Sequence, residues 1–534
     1  MTSQLQVVVL LFLVVAAVAV LAARLKTPPA ILLVVTGVLL ALVPGLPAIE
    51  LRPELVLLIV LPPVIYSSAF QMSWLEFWFN LRPIALLAVG SVLFTAGAVA
   101  AAAHWLLNLS WGVGFVLGAI VAPPDAVAPL SIARRLRIPS RILVVLEGEG
   151  LANDATALIL YRFAVVAVGI NAFSPVSAVG TFAAIVAGEI VWGLAVGWVT
   201  LRLRHWVNEP RVEIILALLT PFLAYWPPQH LGGSGVLATL VTGLYASWNG
   251  LRLISSATRL QGIFFWDFLI YLIEGMIFLI TGLQARTLFG RIGQFSLTEL
   301  LISAAVISAV VIIARFVWIF PATYIPRWVS PRLRRRDPSP PWQWVFVLSF
   351  TGVRGIVSLA AALAIPLTMA SGEPFPNRDL ILLLTFSVIL VTLVGLGLLL
   401  PWVIRALGLA QAGDREHRLE RAEEHAARQQ AIKAVIERLE QLRTERGLSD
   451  EIVEPLRAHH RDRLRHAHRS VSASDAQTKY NDLHDEIELT LIAAEREHIN
   501  TLFRNGKLKD EARRRIERDL DLREAHFASP GSKE

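Results

Sequence analysis

Five ionisable side chains lie inside long apolar stretches of the sequence and have the clearest potential for chemistry. They are Asp125, Glu149, Asp154, Glu274 and Arg354. An ionisable group at membrane depth costs several kcal/mol, so each of them needs an ionic partner, a water-filled cavity or a function. A buried carboxylate can bind a proton or a cation, and ion transport is therefore the first function to consider.

Asp125 directly follows two adjacent prolines, Pro123 and Pro124, in an otherwise apolar run. Because proline lacks a backbone N–H and clashes with the preceding turn, we expect the helix to break here. Unwound backbone beside a carboxylate at the membrane midplane is a common way for transporters to build a cation site. The alternative is a kinked packing helix in which Asp125 is hydrogen-bonded and has only a structural role.

Asp154 lies in a run of Leu, Ala, Ile and Phe residues, one turn beyond Gly150. On a helix, residues 150 and 154 share a face, and Glu149 and Asn153 share the neighbouring edge. Apolar surroundings disfavour a charged carboxylate unless a cation is bound, so a proton and a monovalent cation can compete for Asp154. Helix capping is the alternative role, and it suits Asn153 and Glu147 better than Asp154.

Arg354 lies between Gly352 and Gly355, which weaken a helix and allow a break or a close approach. Its guanidinium must contact a carboxylate or unpaired carbonyl groups, and a structural counter-ion role does not exclude a role in transport. Glu274 is either a second partner for arginine or a structural hydrogen-bond acceptor. The remaining ionisable residues of these stretches are expected to pair among themselves; they are Arg162, Glu189, Asp267 and Arg315.

Membrane-spanning helices are needed to position these residues. The chain has 534 residues, is 55% hydrophobic and only 17% charged, and has a mean hydropathy of +0.58. A helix of about 20 apolar residues crosses a bilayer, and thirteen stretches of the sequence qualify. Asp125 falls in the fifth and Arg354 in the twelfth, which predicts two inverted six-helix repeats around one linker helix, with broken helices that cross.

Charge divides the chain into two parts after Gly408. Residues 1–408 contain 25 basic and 16 acidic residues, and residues 409–534 contain 24 basic and 26 acidic ones. We expect an all-α, polytopic transmembrane domain over 1–408 and a helical cytoplasmic tail over 409–534. The tail is close to neutral, so the net charge of +7 does not indicate a nucleic-acid partner. The absence of cysteine excludes disulfides and thiolate metal sites.

The tail is predicted to form helices near 415–443, 451–468, 475–503 and 510–527. Mixed charges along such helices are typical of a solvated surface. A regulatory role is the alternative, because four histidines that titrate near cytoplasmic pH cluster within ten residues: His459, His460, His466 and His468. The spacing of these residues does not define a metal site.

The distribution of Lys and Arg predicts the orientation of the chain. Seventeen of these residues fall in loops on one side of the thirteen stretches, and four fall on the other side. Because positively charged loops stay in the cytoplasm, the N-terminus is expected outside and the tail inside the cell, in the inner membrane.

Four motifs, in this order and spacing, resemble the monovalent cation:proton antiporter family, in particular its bacterial sodium/proton exchanger branch. They are Leu61-Pro62-Pro63, Pro124-Asp125, the segment from Glu147 to Asp154, and Gly352-Val353-Arg354-Gly355. The resemblance covers the whole membrane domain and implies a homodimer of thirteen-helix chains. It also implies a dimerisation part and a core part that moves like an elevator.

The same resemblance implies roles for individual residues. Asp154 would carry the cation and the proton, and Asp125 would be the aspartate of the unwound helix. Glu149 and Arg354 would form a core ion pair. Asn153 precedes Asp154 where electrogenic relatives have a second aspartate, which implies electroneutral one-for-one exchange.

Three positions depart from the family pattern and lack the side-chain ligands found there in other members. Pro124 replaces a threonine and offers the ion only its backbone oxygen. Gly150 and Ser67 replace a serine and a glutamate of some archaeal members. Fewer charged ligands imply weaker ion binding and leave the selectivity among Na⁺, K⁺ and Li⁺ open.

The sequence therefore predicts a secondary antiporter rather than an enzyme, one that exchanges a monovalent cation, with Na⁺ favoured, for H⁺ and needs no cofactor. The alternative is a cation channel or a transporter of another solute, in which cation movement would not release protons. An intramembrane protease with Asp125 and Asp154 as an aspartyl pair is a third and more remote class; no H-E-x-x-H zinc motif occurs in the sequence.

Overall fold

The computed structural model is built from helices. It describes residues 2–44, 51–169, 175–207, 209–290, 296–369, 372–469, 475–505, 507–508 and 510–527. No β-strand occurs in these ranges, so the all-α prediction is confirmed for them. The chain divides into two compact units, residues 1–414 and residues 415–534.

The first unit contains the apolar helices. In chain order its helices are Thr2–Leu25, Pro29–Ala41, Pro53–Gln71, Trp74–Phe79, Leu81–Leu107, Trp111–Val121, Val127–Arg135, Ser140–Gly169, Pro175–Val207, Pro210–His230, Val236–Leu253, Ser256–Leu283, Ala285–Phe289, Leu297–Val329, Pro331–Arg336, Trp342–Phe350, Ile356–Leu363 and Arg378–Ala406. Within the described ranges, eight helical stretches are long and apolar enough to cross a membrane, and Pro29–Ala41 and Trp111–Val121 are shorter apolar helices.

Two helices are interrupted at the predicted positions. The first broken pair is Trp111–Val121 followed by Val127–Arg135, and its interruption contains both adjacent prolines. The second broken pair is Trp342–Phe350 followed by Ile356–Leu363, and its interruption contains Arg354. The two interruptions meet, because the backbone N–H of residue 125 donates to the carbonyl of residue 353 over 2.7 Å. Both predicted breaks are thus confirmed, and they occupy one place in the fold.

Small residues allow other helices of this unit to pack at backbone distance. A Cβ at Gly282 would lie 2.2 Å from the carbonyl oxygen of Val34, and a Cβ at Gly37 would lie 2.3 Å from that of Leu279. The helices Pro29–Ala41 and Ser256–Leu283 therefore cross in direct backbone contact, as is typical of helices that pack within a bilayer.

Loops that the Lys and Arg distribution assigns to one side of the membrane meet in the structure. Asp337 lies within 4 Å of three arginines from different segments, namely Arg82, Arg141 and Arg327; these four residues are called the Asp337 cluster below. Among the loops assigned to the other side, Arg286 donates to the carbonyl of Val43 over 3.3 Å. Each of these contacts joins segments that the charge pattern assigns to the same side.

The second unit is helical and rich in charge. The helix Leu409–Arg446 begins in the first unit, directly after Gly408, and continues into the second, where Asp450–Arg469, Asp475–Arg504 and Asp510–Phe527 follow. Ion pairs such as Arg496–Asp521 and Arg523–Glu495 join the last two helices. Such exposed pairs contribute little stability individually.

The histidine cluster of the tail lies partly outside the described side chains, because those of His466 and His468 are not among them. His459 and His460 pack edge to face, with ring centroids 5.4 Å apart. Over the part of the chain that the structure describes, no group of three or more His, Asp or Glu residues is arranged to hold a metal ion.

Candidate ion-binding site

A cavity of about 390 Å³ reaches the point where the two broken pairs meet. Its walls come from Pro53–Gln71, the first broken pair, Ser140–Gly169, Ser256–Leu283 and the start of Ile356–Leu363. Five carboxylates line it, and Arg134 is the basic residue in its lining; the acids are Asp125, Glu147, Asp154, Asp267 and Glu274. This excess of negative charge in a low-dielectric cleft favours the entry of cations.

Asp154 faces this cavity from the helix Ser140–Gly169. Its side chain is half-buried, and it accepts no hydrogen bond and forms no ion pair with any residue that the structure describes. Asp125 is the nearby acid that affects it electrostatically. The carboxylate of Asp154 is therefore free to bind a proton or a cation that enters the cavity.

Asp125 lies in the same cavity but is held by the backbone. Its Oδ1 accepts from the N–H of Val127 over 2.9 Å, and its Oδ2 lies against Gly355, directly before Ile356. Val127 and Ile356 begin the second helix of each broken pair. Because the N-terminus of a helix carries partial positive charge, Asp125 stabilises both helix starts. Asp125 is thus hydrogen-bonded, as the structural alternative for this residue requires, and it also lines the cavity.

Gly355 makes this arrangement possible. A Cβ at residue 355 would lie only 1.6 Å from Oδ2 of Asp125. No side chain could fit there without displacing the carboxylate. The glycine in the fourth motif is therefore needed for the close approach of the two interruptions rather than for flexibility alone.

Asn153 fixes the unwound segment of the first broken pair. It is fully buried, and its Nδ2 donates to the carbonyl oxygen of Pro124 over 2.7 Å. Its Oδ1 is buried without a hydrogen-bond partner among the described residues. Pro124, proposed from the sequence as a backbone ligand for the ion, lines the cavity but uses its carbonyl oxygen to accept from Asn153.

The predicted ion pair between Glu149 and Arg354 is wrong. Both oxygens of Glu149 accept from Arg315, with Nη1–Oε1 at 2.5 Å and Nη2–Oε2 at 2.7 Å. All three side chains are almost completely buried. Arg315 reaches Glu149 from the helix Leu297–Val329, and the fork shape of its guanidinium matches a carboxylate. Arg315 was expected to pair with Glu189 or Asp267, and that expectation is also wrong.

Arg354 bonds to the unwound backbone instead. Its Nε donates to the carbonyl oxygen of Val121 over 2.8 Å and its Nη2 to that of Ala122 over 3.2 Å. These carbonyls end the helix Trp111–Val121, where the partial charge of a helix is negative. Arg354 thus satisfies carbonyl groups that the helix break leaves free, which the sequence analysis had named as one of two possibilities.

The other polar residues have mixed placements. Glu274 is half-buried in the cavity wall. Ser67, which is buried, and Asp267, which is exposed, also line the cavity, and both accept from Nε2 of Gln71. Glu189 accepts from the backbone N–H groups of residues 234, 235, 237 and 238, at the start of the helix Val236–Leu253. Glu189 is therefore structural, whereas Glu274 is available to the cavity.

Arg315 is the site residue that sequence reasoning missed. It is the single charged residue between Glu299 and Arg327 in the helix Leu297–Val329, and it lies near the centre of that helix. That isolation was a usable signal, because a charge at mid-membrane requires a partner and Glu149 was an available one. A second structural detail concerns Gly150, at which a Cβ would lie 2.6 Å from the Cβ of Ala126. Serine could not be placed there without a local shift.

Comparisons with known proteins point to one family. The family model described as "Sodium/hydrogen exchanger, transmembrane" matches residues 8–406. An uncharacterized Na⁺/H⁺ exchanger of Mycobacterium tuberculosis is 34% identical over 520 residues, which cover 96% of this chain and 94% of the relative. The sodium, potassium, lithium and rubidium/H⁺ antiporter of Bacillus pumilus is 31% identical over 412 residues, which cover 75% of this chain and 61% of the relative.

A solved structure shares the fold. The sodium proton antiporter MjNhaP1 from Methanocaldococcus jannaschii superposes with a TM-score of 0.61 at 20% identity, over 77% of this chain and 99% of that protein. The relatives are named as exchangers or antiporters, which are transporters and not enzymes. On the match to the family model and the identity to its relatives, the chain belongs to the sodium/hydrogen exchanger family.

Proposed function

We propose that the protein exchanges one monovalent cation for one proton across the cell membrane, and that Asp154 binds each of them in turn. The observation that carries the proposal is the contrast among the buried acids. Glu149 is bonded to Arg315, and Asp125 is bonded to the helix start at Val127, whereas Asp154 faces the acidic cavity without a partner among the described residues. Asp154 is therefore an acid whose occupancy can change without unfolding its surroundings.

Exchange at Asp154 alone would be electroneutral. If Asp154 carries either one proton or one monovalent cation, the loaded site has the same net charge in both directions of transport. No net charge then crosses the membrane in a full cycle. Asn153, which is neutral and buried, adds no second titrating group beside it.

Na⁺ is the proposed cation, with K⁺ and Li⁺ as possible alternatives. The polar lining consists largely of carboxylate, hydroxyl and amide groups, whose oxygens are hard ligands that suit small cations. A cavity of about 390 Å³ leaves space for part of the hydration shell, which weakens discrimination by size. The broad range of cations in the name of the Bacillus pumilus relative is consistent with such a site.

The proposed topology has thirteen crossings in two inverted repeats. To the eight long stretches it adds Pro29–Ala41, Pro210–His230, Val236–Leu253 and the two broken pairs. The broken pairs are then the fifth and twelfth crossings, and the N-terminus lies outside the cell. The meeting of the basic loops at the Asp337 cluster supports this assignment.

Movement of the broken pairs between the two faces, as in an elevator, is proposed for the transport step. The chain has no native cysteine, so a single reporter can be added cleanly. Cysteine in place of Ser358, which lines the cavity, should react with an impermeant maleimide from either side of the membrane. Labelling from one side only, under both inward and outward ion gradients, would contradict the elevator.

A homodimer and a regulatory tail complete the proposal. Cysteine pairs on the least buried long stretch, Val179–Val207, should form intermolecular cross-links in membranes. Absence of cross-links at every position of that stretch would contradict a dimer through this face.

Truncation after Gln411 should preserve exchange and shift its pH profile. An unshifted pH profile would show that the tail does not regulate exchange.

The function itself is tested in proteoliposomes that contain a pH-sensitive dye. Adding Na⁺, K⁺ or Li⁺ outside acidified vesicles should raise the internal pH, and clamping the membrane potential should leave the rate unchanged. Cation entry without proton movement would identify a channel. A rate that follows the membrane potential would contradict electroneutral exchange.

A further inference from the structure

A second cavity lies beside the Asp337 cluster, away from the ion-binding site. Its volume is about 60 Å³, and Arg82, Arg141 and Arg327 all line it. Within the cluster, three guanidinium groups surround one carboxylate, so two positive charges have no counter-charge there. The function proposed above makes no use of this cavity.

The three arginines differ in how they are bonded. Nη2 of Arg141 donates to Oδ1 of Asp337 over 2.6 Å, and Nη2 of Arg327 donates to its Oδ2 over 2.5 Å. Arg82 approaches the same carboxylate only to 3.6 Å. Both Nη1 and Nη2 of Arg82 are buried without a hydrogen-bond acceptor among the described residues. A buried charged donor without an acceptor is unfavourable, so Arg82 can donate to an anion that the described residues do not supply.

The rest of the cavity wall is largely apolar, and the cavity lies at the ends of two candidate membrane stretches. Arg82 stands at the start of Leu81–Leu107, and Arg327 near the end of Leu297–Val329. The apolar side chains beside them are buried or half-buried; they include Leu86, Leu87, Ile319, Ala322, Val345 and Leu348. A ligand that fits both parts has an anionic group next to an apolar chain.

We infer that this cavity binds the phosphate group of an anionic phospholipid, with Arg82 as its main donor and the apolar wall in contact with the acyl region. Basic pockets between membrane helices recognise lipid phosphates in this way, because arginine forms paired hydrogen bonds with phosphate oxygens. A free phosphate ion has the same charge chemistry but would gain nothing from the apolar wall. The inference requires only that the first unit lies in a membrane.

Retention of lipid by the full-length protein tests the inference. The protein is purified in detergent and titrated with dioleoyl phosphatidylglycerol, dioleoyl phosphatidylcholine or inorganic phosphate, and bound molecules are counted by native mass spectrometry. We expect Arg82→Gln to weaken phosphatidylglycerol binding about tenfold, since it removes charged hydrogen bonds. The matched control is Arg334→Gln, which removes an equal charge from an exposed arginine outside the cavity and should bind like the wild type.

Two further variants separate the site from a general effect of charge. Asp337→Asn removes the carboxylate that competes for the arginines and should strengthen phosphatidylglycerol binding severalfold. Ala322→Trp fills the apolar wall, keeps every charge and should weaken binding of phosphatidylglycerol; it also carries the test if Arg82→Gln does not fold. Equal binding by Arg82→Gln and Arg334→Gln, or weaker binding by Asp337→Asn, would overturn the site. Inorganic phosphate binding as tightly as phosphatidylglycerol would overturn the assignment to a lipid.

Discussion

Two acids on one helix, five residues apart, have opposite environments. Glu149 is almost fully buried, and both of its oxygens are bonded to Arg315. Asp154 faces an acidic cavity and has no bonding partner among the described residues. The helix Ser140–Gly169 thus directs one acid into the packed interior and the other into solvent-accessible space.

The two environments predict a structural role for Glu149 and a role in transport for Asp154. A carboxylate that is bonded twice to a guanidinium cannot release its partner without stranding a buried charge, so Glu149 is fixed. Asp154 can gain or lose a proton or a cation at little structural cost. Asp125 is intermediate, because it shares the cavity with Asp154 but lies between two helix starts and is bonded to one of them. These three environments predict three different responses to mutation.

Asp154→Asn should have the largest effect on transport. Because the amide carries no charge and binds no proton at neutral pH, we expect exchange in proteoliposomes to fall by a factor of about 100 or more, as for loss of an essential group. Folded yield and thermal stability should be unchanged or higher. Retention of full activity would remove Asp154 from the mechanism.

Arg315→Ala should have the largest effect on folding. Leaving Glu149 buried without its partner is expected to cost about 3–5 kcal/mol of unfolding free energy. Thermal unfolding in detergent and the yield of monodisperse protein measure this loss. Replacing both partners, with Glu149→Leu and Arg315→Met, should recover much of the stability. A stable and fully active Arg315→Ala protein would contradict the structural role of the pair.

Asp125→Asn should affect both properties to an intermediate extent. Loss of the charge between two helix N-termini is expected to cost up to about 2 kcal/mol. Exchange should also fall severely, since the cavity loses an acid close to Asp154. An unchanged apparent affinity for the cation would show that Asp125 acts only on structure.

Asp337 should give the smallest effect, and one that depends on pH. Partial burial acts to raise the pKa of Asp337, but the hydrogen bonds and charges of Arg141 and Arg327 outweigh it and hold the pKa below its usual range. A lowered folded pKa stabilises the protein above the unfolded value of about 4. That contribution is lost as the pH falls through the folded pKa.

The comparison of thermal stability between the wild type and Asp337→Asn checks this sign. The wild type should be more stable by a constant margin between pH 8 and pH 5, and the margin should shrink below about pH 4. A margin that grows on acidification would contradict the lowered pKa of Asp337.

The sequence predicted the features that depend on local chemistry. Two adjacent prolines must interrupt a helix, and glycines on either side of Arg354 favour a second interruption, so both broken pairs were predictable. The tail helices were also located closely. The first begins at Leu409 rather than near Arg415, because the left-handed conformation at Gly408 ends the preceding helix and the next one starts at once.

Pairing between distant helices could not be predicted in the same way. Glu149 had two candidate arginines, Arg315 and Arg354, and nothing local distinguishes them. The choice depends on the carbonyls of Val121 and Ala122, which occupy Arg354 only once the two interruptions meet. The lack of hydrogen-bond acceptors for Nη1 and Nη2 of Arg82 is likewise visible only in the folded structure, where Arg82 lies 3.6 Å from Asp337.

The central claim, that Asp154 binds either a proton or a cation, is tested most directly by proton release on cation binding. Purified protein at a pH where Asp154 is protonated is titrated with Na⁺ in two buffers of different ionisation enthalpy, which gives the number of protons released. The account predicts about one proton released per Na⁺ bound by the wild type and none by Asp154→Asn. Na⁺ binding without proton release in the wild type, or equal release by Asp154→Asn, would contradict it.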